Sequence, residues 1–328
     1  MKTLVTGANG FVGSALVRHL IDMDHEVKAL IRPGCDRRNI AGLPIETVEG
    51  DLQDLSSLKN AVKNCSILFH VAADYRLWIP EPTEMYNTNV NGTRDLMLAA
   101  SEAGIEKIIY TSSVATLGAN ADGSPADENT PSSLEDMIGH YKRSKFLAEH
   151  ETMNLVVQKQ LPIIIVNPST PIGPRDIKPT PTGRIVLDTL RGKMPAYVNT
   201  GLNIVHVDDV AIGHIQAYKQ GKIGERYILG GENMSLKELL LLIDKICGKK
   251  SMRVCLPQNF ILPIVYCMEL WATISDDEPR ATIDGVQMSK KFMYFSSEKA
   301  IKELNYNPRP AIHALEDAIQ WFKENGYY

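Results

Sequence analysis

Tyrosine and lysine stand four residues apart in Y-K-R-S-K, at Tyr141 and Lys145, and Ser113 follows an apolar run in I-I-Y-T-S-S. Residues at this spacing share a helix face, so the phenol and the ammonium group are expected to be neighbours. A phenol has a pKa of about 10, and a nearby positive charge lowers it towards the range of a useful acid and base. Ser113 can hydrogen-bond a substrate oxygen. These three candidate catalytic residues fit proton transfer at a carbonyl or carbinol carbon.

A glycine-rich segment, T-G-A-N-G-F-V-G, joins the first predicted strand to the first predicted helix. Glycine lets the backbone approach a pyrophosphate closely, and a helix N-terminus offers free N–H groups and the positive end of its dipole. Tight turns also require glycine, but the position between strand and helix favours a dinucleotide site. The residues predicted to bind cofactor here are Gly7, Asn9, Gly10, Phe11, Val12 and Gly13.

The second predicted strand ends at Arg32, where an acidic residue commonly holds a ribose 2′-hydroxyl. Together with Arg37 and Arg38 it could bind a 2′-phosphate through bidentate contacts, or all three could be solvated loop residues. We therefore expect NADP(H), with NAD(H) as the alternative. Asp51 and Leu52 follow the third predicted strand and could contact adenine, although Asp51 could instead cap a turn or a helix.

Short apolar runs alternate with helical patterns through the first half of the chain, which predicts an α/β fold with a doubly wound parallel sheet of the Rossmann type. The predicted strands are 2–6, 26–31, 45–49, 67–71, 107–111 and 162–166, and the predicted helices are 11–23, 55–64, 85–103 and 141–159. Residues 167–183 contain five prolines and are predicted to be irregular. We expect a dinucleotide-binding domain of residues 1–167 plus 196–222. A smaller, discontinuous substrate lobe would comprise 168–195 plus 223–328, with its C-terminal helix packing back on the core.

The composition narrows the classes of partner and compartment. The chain of 328 residues has a formal charge of −4, which gives no reason to expect nucleic acid. Five widely spaced cysteines without a C-x-x-C pair are typical of a reduced, cytoplasmic protein, and no targeting segment precedes the first predicted strand. His206 and Asp208 lack a third ligand at a suitable spacing, so no metal site is expected.

The longest apolar stretch, residues 260–274, is too short for a membrane span and contains Pro263 and Glu269. We expect a buried or pocket-covering helix and no stable membrane insertion. The alternative is a surface that receives an apolar substrate or touches a membrane.

The order of these motifs resembles the extended short-chain dehydrogenase/reductases of the NAD-dependent epimerase/dehydratase family, which include nucleotide-sugar epimerases and dihydroflavonol 4-reductases. The resemblance covers essentially the whole chain and is carried by T-G-A-N-G-F-V-G, G-D-L, H-V-A-A, N-V-N-G-T, Y-K-R-S-K, N-P-S-T-P-I-G-P and H-V-D-D-V-A. At finer grain, H-V-A-A-D-Y-R-L-W and N-P-S-T-P-I-G-P-R-D-I-K-P-T-P-T-G-R are similar to the bacterial hopanoid-associated sugar epimerase group. The resemblance implies a Ser113–Tyr141–Lys145 catalytic triad and a homodimer.

The same resemblance extends the predicted sites. Further cofactor contacts would come from Val71, Ala72, Ala73, Asn89, Thr111, Ser112, Pro168, Ser169 and Thr170, with Tyr141 and Lys145 also touching the cofactor. Substrate would be met by Asp74, Tyr75, Trp78, Ser113, Asn167 and Arg184. Tyr75 and Trp78 follow the fourth predicted strand and could form an apolar wall, or could simply pack within their loop.

Two departures bear on the substrate. UDP-sugar epimerases place an arginine shortly before H-V-x-D, where this chain has Leu202 and Asn203, and their later R-P-G-D is replaced by S-K-K-F. Arg184 and Lys193 could substitute for the missing diphosphate clamps. We therefore expect an NADP(H)-dependent reductase or dehydrogenase acting on a small carbonyl or alcohol. A redox-neutral sugar epimerase is the alternative, and a cofactor-binding regulator is a third hypothesis.

Overall fold

A seven-stranded parallel sheet forms the centre of the molecule, in a computed structural model that describes residues 1–275, 279 and 281–328. Its strands are β1 (Lys2–Thr6), β2 (Glu26–Ile31), β3 (Glu46–Glu49), β4 (Ile67–His70), β5 (Lys107–Thr111), β6 (Ile163–Pro168) and β10 (Arg226–Leu229). Their order across the sheet is β10-β6-β5-β4-β1-β2-β3, and each adjacent pair is parallel. The predicted doubly wound α/β fold is confirmed.

Helices cover both faces of this sheet, which explains why its strands are continuous apolar runs. One face packs against α1 (Phe11–Asp22), α7 (Val207–Gln220) and α11 (Glu298–Leu304). The other face packs against α2 (Leu55–Ala61), α4 (Thr93–Glu102) and α5 (Gly139–Lys159). The strand order reverses between β1 and β4, so the crevice beyond their carboxyl ends is where a ligand is expected to bind.

The predicted helix 85–103 is interrupted. It consists of α3 (Thr83–Tyr86), a π-helical turn (Asn87–Gly92) and α4. A Cβ on Gly92 would lie 2.7 Å from the Leu52 carbonyl oxygen, so the widened turn lies tightly against the loop after β3. Turns of this kind often occur at functional sites, and this one carries Asn89.

A smaller lobe surrounds a second sheet of β7 (Thr170–Ile172), β9 (Gly201–His206) and β11 (Glu232–Ser235). Its apolar core also includes side chains from α6 (Pro181–Leu190), α8 (Leu236–Ile246) and α12 (Ala311–Glu324). Beside it lie a short parallel pair, β8 (Ala196–Tyr197) with β12 (Val254–Cys255), and two further helices, α9 (Gln258–Ser275) and α10 (Ile283–Met288).

The strands divide between the two parts differently from the predicted boundaries. β10, which was assigned to the substrate lobe, is an edge strand of the central sheet, and β9, which was assigned to the dinucleotide domain, belongs to the small sheet. The C-terminal helix α12 packs within the lobe, against β9 and α6. Strand partners are set by long-range pairing, which local patterns do not contain. None of the helices in the described residues is long and apolar enough to span a membrane.

Candidate active site

The glycine loop after β1 is shaped by close backbone approach. Gly7 adopts a φ of +67°, and a Cβ there would lie 2.8 Å from the Ala72 nitrogen. A Cβ on Gly13 would lie 2.0 Å from the Gly7 carbonyl oxygen. Gly10 caps α1 without a side chain, and the first turn of α1 contains no acidic residue. The free N–H groups of this helix end therefore offer the donors and positive potential that a pyrophosphate requires.

Thr6, at the start of the glycine loop, holds the loop after β4 by hydrogen bonds. Its Oγ1 accepts hydrogen bonds from the backbone N–H groups of Val71 (3.2 Å) and Ala72 (3.1 Å). The same oxygen lies 2.8 Å from Nδ1 of His70, whose Nε2 lies 2.9 Å from the Thr93 hydroxyl. Burial lowers the pKa of His70 to about 3, so the ring is neutral at physiological pH. Residues 71–73 thus run beside the predicted phosphate site.

The arginines that could recognise a 2′-phosphate differ in their surroundings. Arg37 forms an ion pair with Glu49. Arg38 forms an ion pair with Asp36, with its Nη2 2.7 Å from Oδ2. Arg32 is exposed directly after β2 and forms no ion pair with any other described residue. Among the described arginines at this edge of the sheet, Arg32 is therefore the one without a carboxylate partner.

Asp51 and Leu52 both make contacts within the protein. Oδ1 of Asp51 accepts a hydrogen bond from the Gln53 N–H at 2.9 Å, which is the turn-capping role that the sequence left open. Leu52 is buried in the apolar core on the α4 side of the sheet. Their predicted contact with adenine stays a prediction.

Ser113 and Tyr141 are brought together beyond the carboxyl end of β5, although 28 residues separate them in the chain. Burial raises the pKa of the Tyr141 phenol, and a hydrogen bond with the Ser113 side chain partly opposes that effect. Ser113 Oγ also accepts from the Ala115 N–H at 3.1 Å. The two hydroxyls can therefore address one substrate oxygen, with Tyr141 protonated at neutral pH.

Lys145 lies one turn from Tyr141, as predicted, but its ammonium group is directed under β5. Nζ donates to the Tyr110 hydroxyl (3.1 Å) and to the Thr111 carbonyl oxygen (2.8 Å). Burial lowers the pKa of Lys145 to about 8, while Glu149 raises it. The expectation that the lysine lowers the pKa of the phenol stays a prediction.

Thr111 and Ser112 continue the same strand end. The Thr111 hydroxyl lies 2.8 Å from Nε2 of His214, whose Nδ1 lies 2.7 Å from the Val210 carbonyl oxygen. Burial lowers the pKa of His214 to about 4, so the neutral ring donates to Val210 and accepts from Thr111. The Ser112 N–H donates to the Val166 carbonyl oxygen at 2.8 Å. These residues fix the end of β5 from which Ser113 projects.

A buried network behind Ser113 was not anticipated. The Asn167 amide donates to the Ser113 carbonyl oxygen (3.0 Å) and to Oε2 of Glu149 (2.8 Å). Glu149 also accepts from the Thr116 hydroxyl (2.9 Å) and pairs with Arg226 (3.0 Å). Asn167 is fully buried and positions the Ser113 backbone, and its predicted contact with substrate stays a prediction. The available sequence signal was Glu149 one turn beyond Lys145 on the same helix.

Asn89 supports the loop after β4 from the π-helical turn. Its Oδ1 accepts from the Asp74 N–H (2.7 Å), and its Nδ2 donates to the Asp74 carbonyl oxygen (2.8 Å) and to Ser144 Oγ (2.9 Å). It thus ties this loop to helix α5. The Asp74 carboxylate is held by Arg76, with Nε 3.0 Å from each oxygen.

The remaining predicted substrate residues lie in two segments, the loop after β4 and the first turn of α6. Tyr75 is half exposed and close enough to Tyr141 to contribute to its raised pKa, and Trp78 is half-buried in the same loop. Arg184 is exposed in the first turn of α6, where its Nε donates to the Pro179 carbonyl oxygen at 3.3 Å. The geometry supports Tyr75 beside the phenol, and the role of Arg184 stays a prediction.

The end of β6 offers polar atoms to a ligand. Pro168 ends β6, Ser169 follows it, and Thr170 begins β7. Ser169 Oγ and Asn167 Oδ1 are buried and have no hydrogen-bond partner in the protein. Such orphaned atoms commonly mark a missing ligand. Together with the glycine cradle, they fit a dinucleotide that extends from α1 towards Tyr141.

His206 has a structural role. It caps α7, with Nδ1 3.0 Å from the Asp208 nitrogen, and its Nε2 lies 3.0 Å from Oδ2 of Asp317. Within the described part of the chain, no group of three His, Cys, Asp or Glu residues could hold a metal ion.

Comparison with known proteins identifies the family. Residues 3–230 match the model of the NAD-dependent epimerase/dehydratase family. The chain belongs to this family. The family resemblance of the motifs is thereby confirmed, and the chain belongs to a family of NAD-dependent oxidoreductases, epimerases and dehydratases.

Several relatives of this family cover nearly the whole chain. It is 46% identical to the Synechocystis sp. protein named "Putative dihydroflavonol 4-reductase" (98% of this chain, 95% of the relative). It is 31% identical to the Methylococcus capsulatus protein named "Sterol demethylase protein B" (99% of each chain). Among solved structures, that of gox2253 is 58% identical with a TM-score of 0.89, covering 99% of this chain and 98% of that one.

A more distant family structure agrees in fold alone. The dTDP-glucose 4,6-dehydratase DesIV of Streptomyces venezuelae, solved with NAD bound, is 22% identical with a TM-score of 0.80, covering 100% of this chain and 99% of that one.

Proposed function

We propose that this family member is an NADP(H)-dependent reductase that acts on a small carbonyl substrate, with Tyr141 as proton donor. The observation that carries the proposal is the paired hydroxyls of Ser113 and Tyr141, with burial keeping the phenol protonated at neutral pH. A protonated phenol is the form that reduction needs, because the carbonyl oxygen must gain a proton as its carbon gains hydride.

The roles of the chain's own groups follow from their positions. When bound, the nicotinamide supplies the hydride. Ser113 donates a hydrogen bond to the substrate oxygen and stabilises its developing negative charge. Tyr141 then gives its proton to that oxygen. Lys145, held by Tyr110 and Thr111, provides a buried positive charge near the cofactor ribose.

The coenzyme preference is inferred from Arg32. It is exposed at the end of β2 and uncommitted among the described residues, whereas Arg37 and Arg38 are paired with carboxylates. A guanidinium group in this place fits a 2′-phosphate. We accordingly propose NADP(H) over NAD(H).

The substrate class is inferred from the position where a diphosphate-clamping arginine would stand. Asn203 occupies it and is 1% exposed, with its Nδ2 2.7 Å from Oδ1 of Asn233 and its Oδ1 2.7 Å from the Gly231 nitrogen. This side chain is committed to joining β9 and β11 and cannot reach a diphosphate. The absence of an arginine at this position supports a substrate without a nucleotide, as does the relative named as a dihydroflavonol 4-reductase.

The experiment is a turnover assay on the purified protein with NADPH and a panel of carbonyl compounds, including dihydroflavonols. Stoichiometric NADPH oxidation with formation of the alcohol is the expected result. Coenzyme that stays bound through purification, with a sugar converted and no net change in NADPH absorbance, would replace the reductase with the epimerase. A cellular function that persists after Tyr141→Phe would favour the regulator.

A further inference from the structure

Helix α9 presents apolar side chains to solvent along one face. Phe260, Ile264 and Trp271 are 75%, 61% and 68% exposed and recur at helical spacing. Met252 and Val254 are also exposed, on the segment that precedes α9, and we define the apolar strip as Met252, Val254, Phe260, Ile264, Leu270 and Trp271. The opposite face carries the buried Val265 and Ala272. Several large apolar side chains exposed on one helix and the segment before it indicate an interaction site.

The inner face of α9 is already fastened to the lobe. Oε1 of Glu269 accepts a hydrogen bond from the Ile283 N–H at 2.7 Å. The Gln258 amide donates to the Asn199 carbonyl oxygen at 2.9 Å and lies 3.4 Å from that of Ser289. These contacts hold the helix in one orientation, with the apolar strip facing outward.

Positive charge flanks the strip. Lys249 and Lys250 directly precede it, and Lys290 and Lys291 follow Ser289 at the N-terminal end of α9. All four are exposed and form no ion pair with another described residue. Glu269, within α9, is engaged by the Ile283 N–H on the inner face, and Asp284 lies in the first turn of α10.

We propose that the apolar strip docks on the surface of a lipid bilayer that contains anionic lipids. Aromatic side chains such as Phe260 and Trp271 are favourable at the boundary between headgroups and acyl chains. The lysines at the N-terminal end would meet the negatively charged headgroups. Helix α9 would lie parallel to the membrane surface, because its inner face is buried against the lobe and the apolar strip is free to contact lipid. The catalytic crevice would thereby be held near molecules dissolved in the membrane.

The test is sedimentation of the full-length protein with two kinds of vesicle. One contains phosphatidylcholine alone, and the other contains equal parts of phosphatidylcholine and phosphatidylglycerol. We expect binding to the anionic vesicles, reduced about tenfold in Phe260→Ser/Trp271→Ser and in Lys249→Glu/Lys250→Glu. The fluorescence of Trp271 should shift to the blue on binding, and this shift should be absent in Trp271→Ser.

Matched variants control for general changes of surface. Ile223 and Ile301 are exposed elsewhere, so Ile223→Ser/Ile301→Ser should bind vesicles like the parent protein. Lys63→Glu/Lys159→Glu makes the same change in net charge away from the strip. Equal binding of parent and strip variants, or no binding to either vesicle, would overturn the proposal. Conversion of a dimer to a monomer by Phe260→Ser/Trp271→Ser, without vesicle binding by the parent, would assign the strip to a second copy of the chain.

Discussion

The ammonium nitrogen of Lys145 lies 3.1 Å from the hydroxyl oxygen of Tyr110, beneath the central sheet. It also lies over the ring of Tyr110, 4.7 Å from the ring centre, and this ring is itself stacked on His70. Lys145 is only 3% exposed. A positive charge is thus kept in the core beside the proposed cofactor site, supported by a phenol, a carbonyl group and a π face.

Replacing Lys145 by methionine should stabilise the fold while abolishing activity. Burial lowers the pKa of Lys145 from 10.5 to about 8, which corresponds to a cost of about 3 kcal/mol for holding the charged form in the folded protein at neutral pH. The lost hydrogen bonds to Tyr110 and Thr111 offset part of this gain. We expect Lys145→Met to raise the free energy of unfolding by about 1–2 kcal/mol near neutral pH.

The pH dependence of this stabilisation has a definite sign. Between pH 8 and 10.5 the unfolded chain binds more protons at Lys145 than the folded chain, so the stability of the parent protein rises with pH in this window. The advantage of Lys145→Met should therefore shrink as pH rises through it. Urea unfolding of both proteins measures this, with the exposed Lys159→Met as control. A constant difference across the window would contradict the assigned cost.

Tyr141→Phe should lower kcat for carbonyl reduction by about 10²–10⁴-fold, because the proton donor is removed while the ring remains. Ser113→Ala should cost about 10²-fold, the usual effect of one hydrogen-bond donor to a developing oxyanion. Both variants should still bind NADPH, measured by fluorescence titration. Tyr86→Phe is the control, because it removes a hydroxyl that is hydrogen-bonded to His140 and not to Ser113 or Tyr141. This variant should keep most of the parent rate. An active Tyr141→Phe would remove the proposed donor.

Arg32→Ala should raise the KM for NADPH by about tenfold or more and leave that for NADH nearly unchanged, since one charge-assisted contact to a phosphate is lost. Steady-state kinetics with both coenzymes measures the difference. Arg94→Ala, on α4 and paired with its neighbour Asp95, serves as the control. Equal changes with NADPH and NADH would argue against a 2′-phosphate contact.

Gly13→Ala should damage cofactor binding far more than Gly10→Ala. A Cβ on Gly13 would meet the Gly7 carbonyl oxygen at 2.0 Å, whereas one on Gly10 would meet the same oxygen at 3.2 Å. Gly13→Ala requires the loop to move, at a cost of about 1–3 kcal/mol. Gly10→Ala requires only a small adjustment. Thermal unfolding with and without NADPH separates lost stability from lost binding. Comparable losses in both variants would show that loop geometry is not the cause.

Much of the fold could be predicted from sequence, because parallel strands and their crossover helices leave local patterns. The strands at β1, β2 and β5 match the predicted ranges, and the glycine loop was placed between β1 and α1. The predicted helix 85–103 lacks the observed break, since the π-helical turn packs against Leu52 across the fold and local patterns do not contain such contacts. The predicted boundaries also put β9 and β10 in the wrong sheets, because long-range pairing sets the partners of a strand.

The sequence by itself determined the family, the glycine cradle and the helical spacing of Tyr141 and Lys145, because each depends on residues close together in the chain. Tertiary structure decided where the side chains point. It paired Tyr141 with Ser113, directed Lys145 towards Tyr110, and buried Asn167 behind the serine loop. Such contacts join residues far apart in sequence, and their geometry is set by packing and burial, which no local spacing encodes.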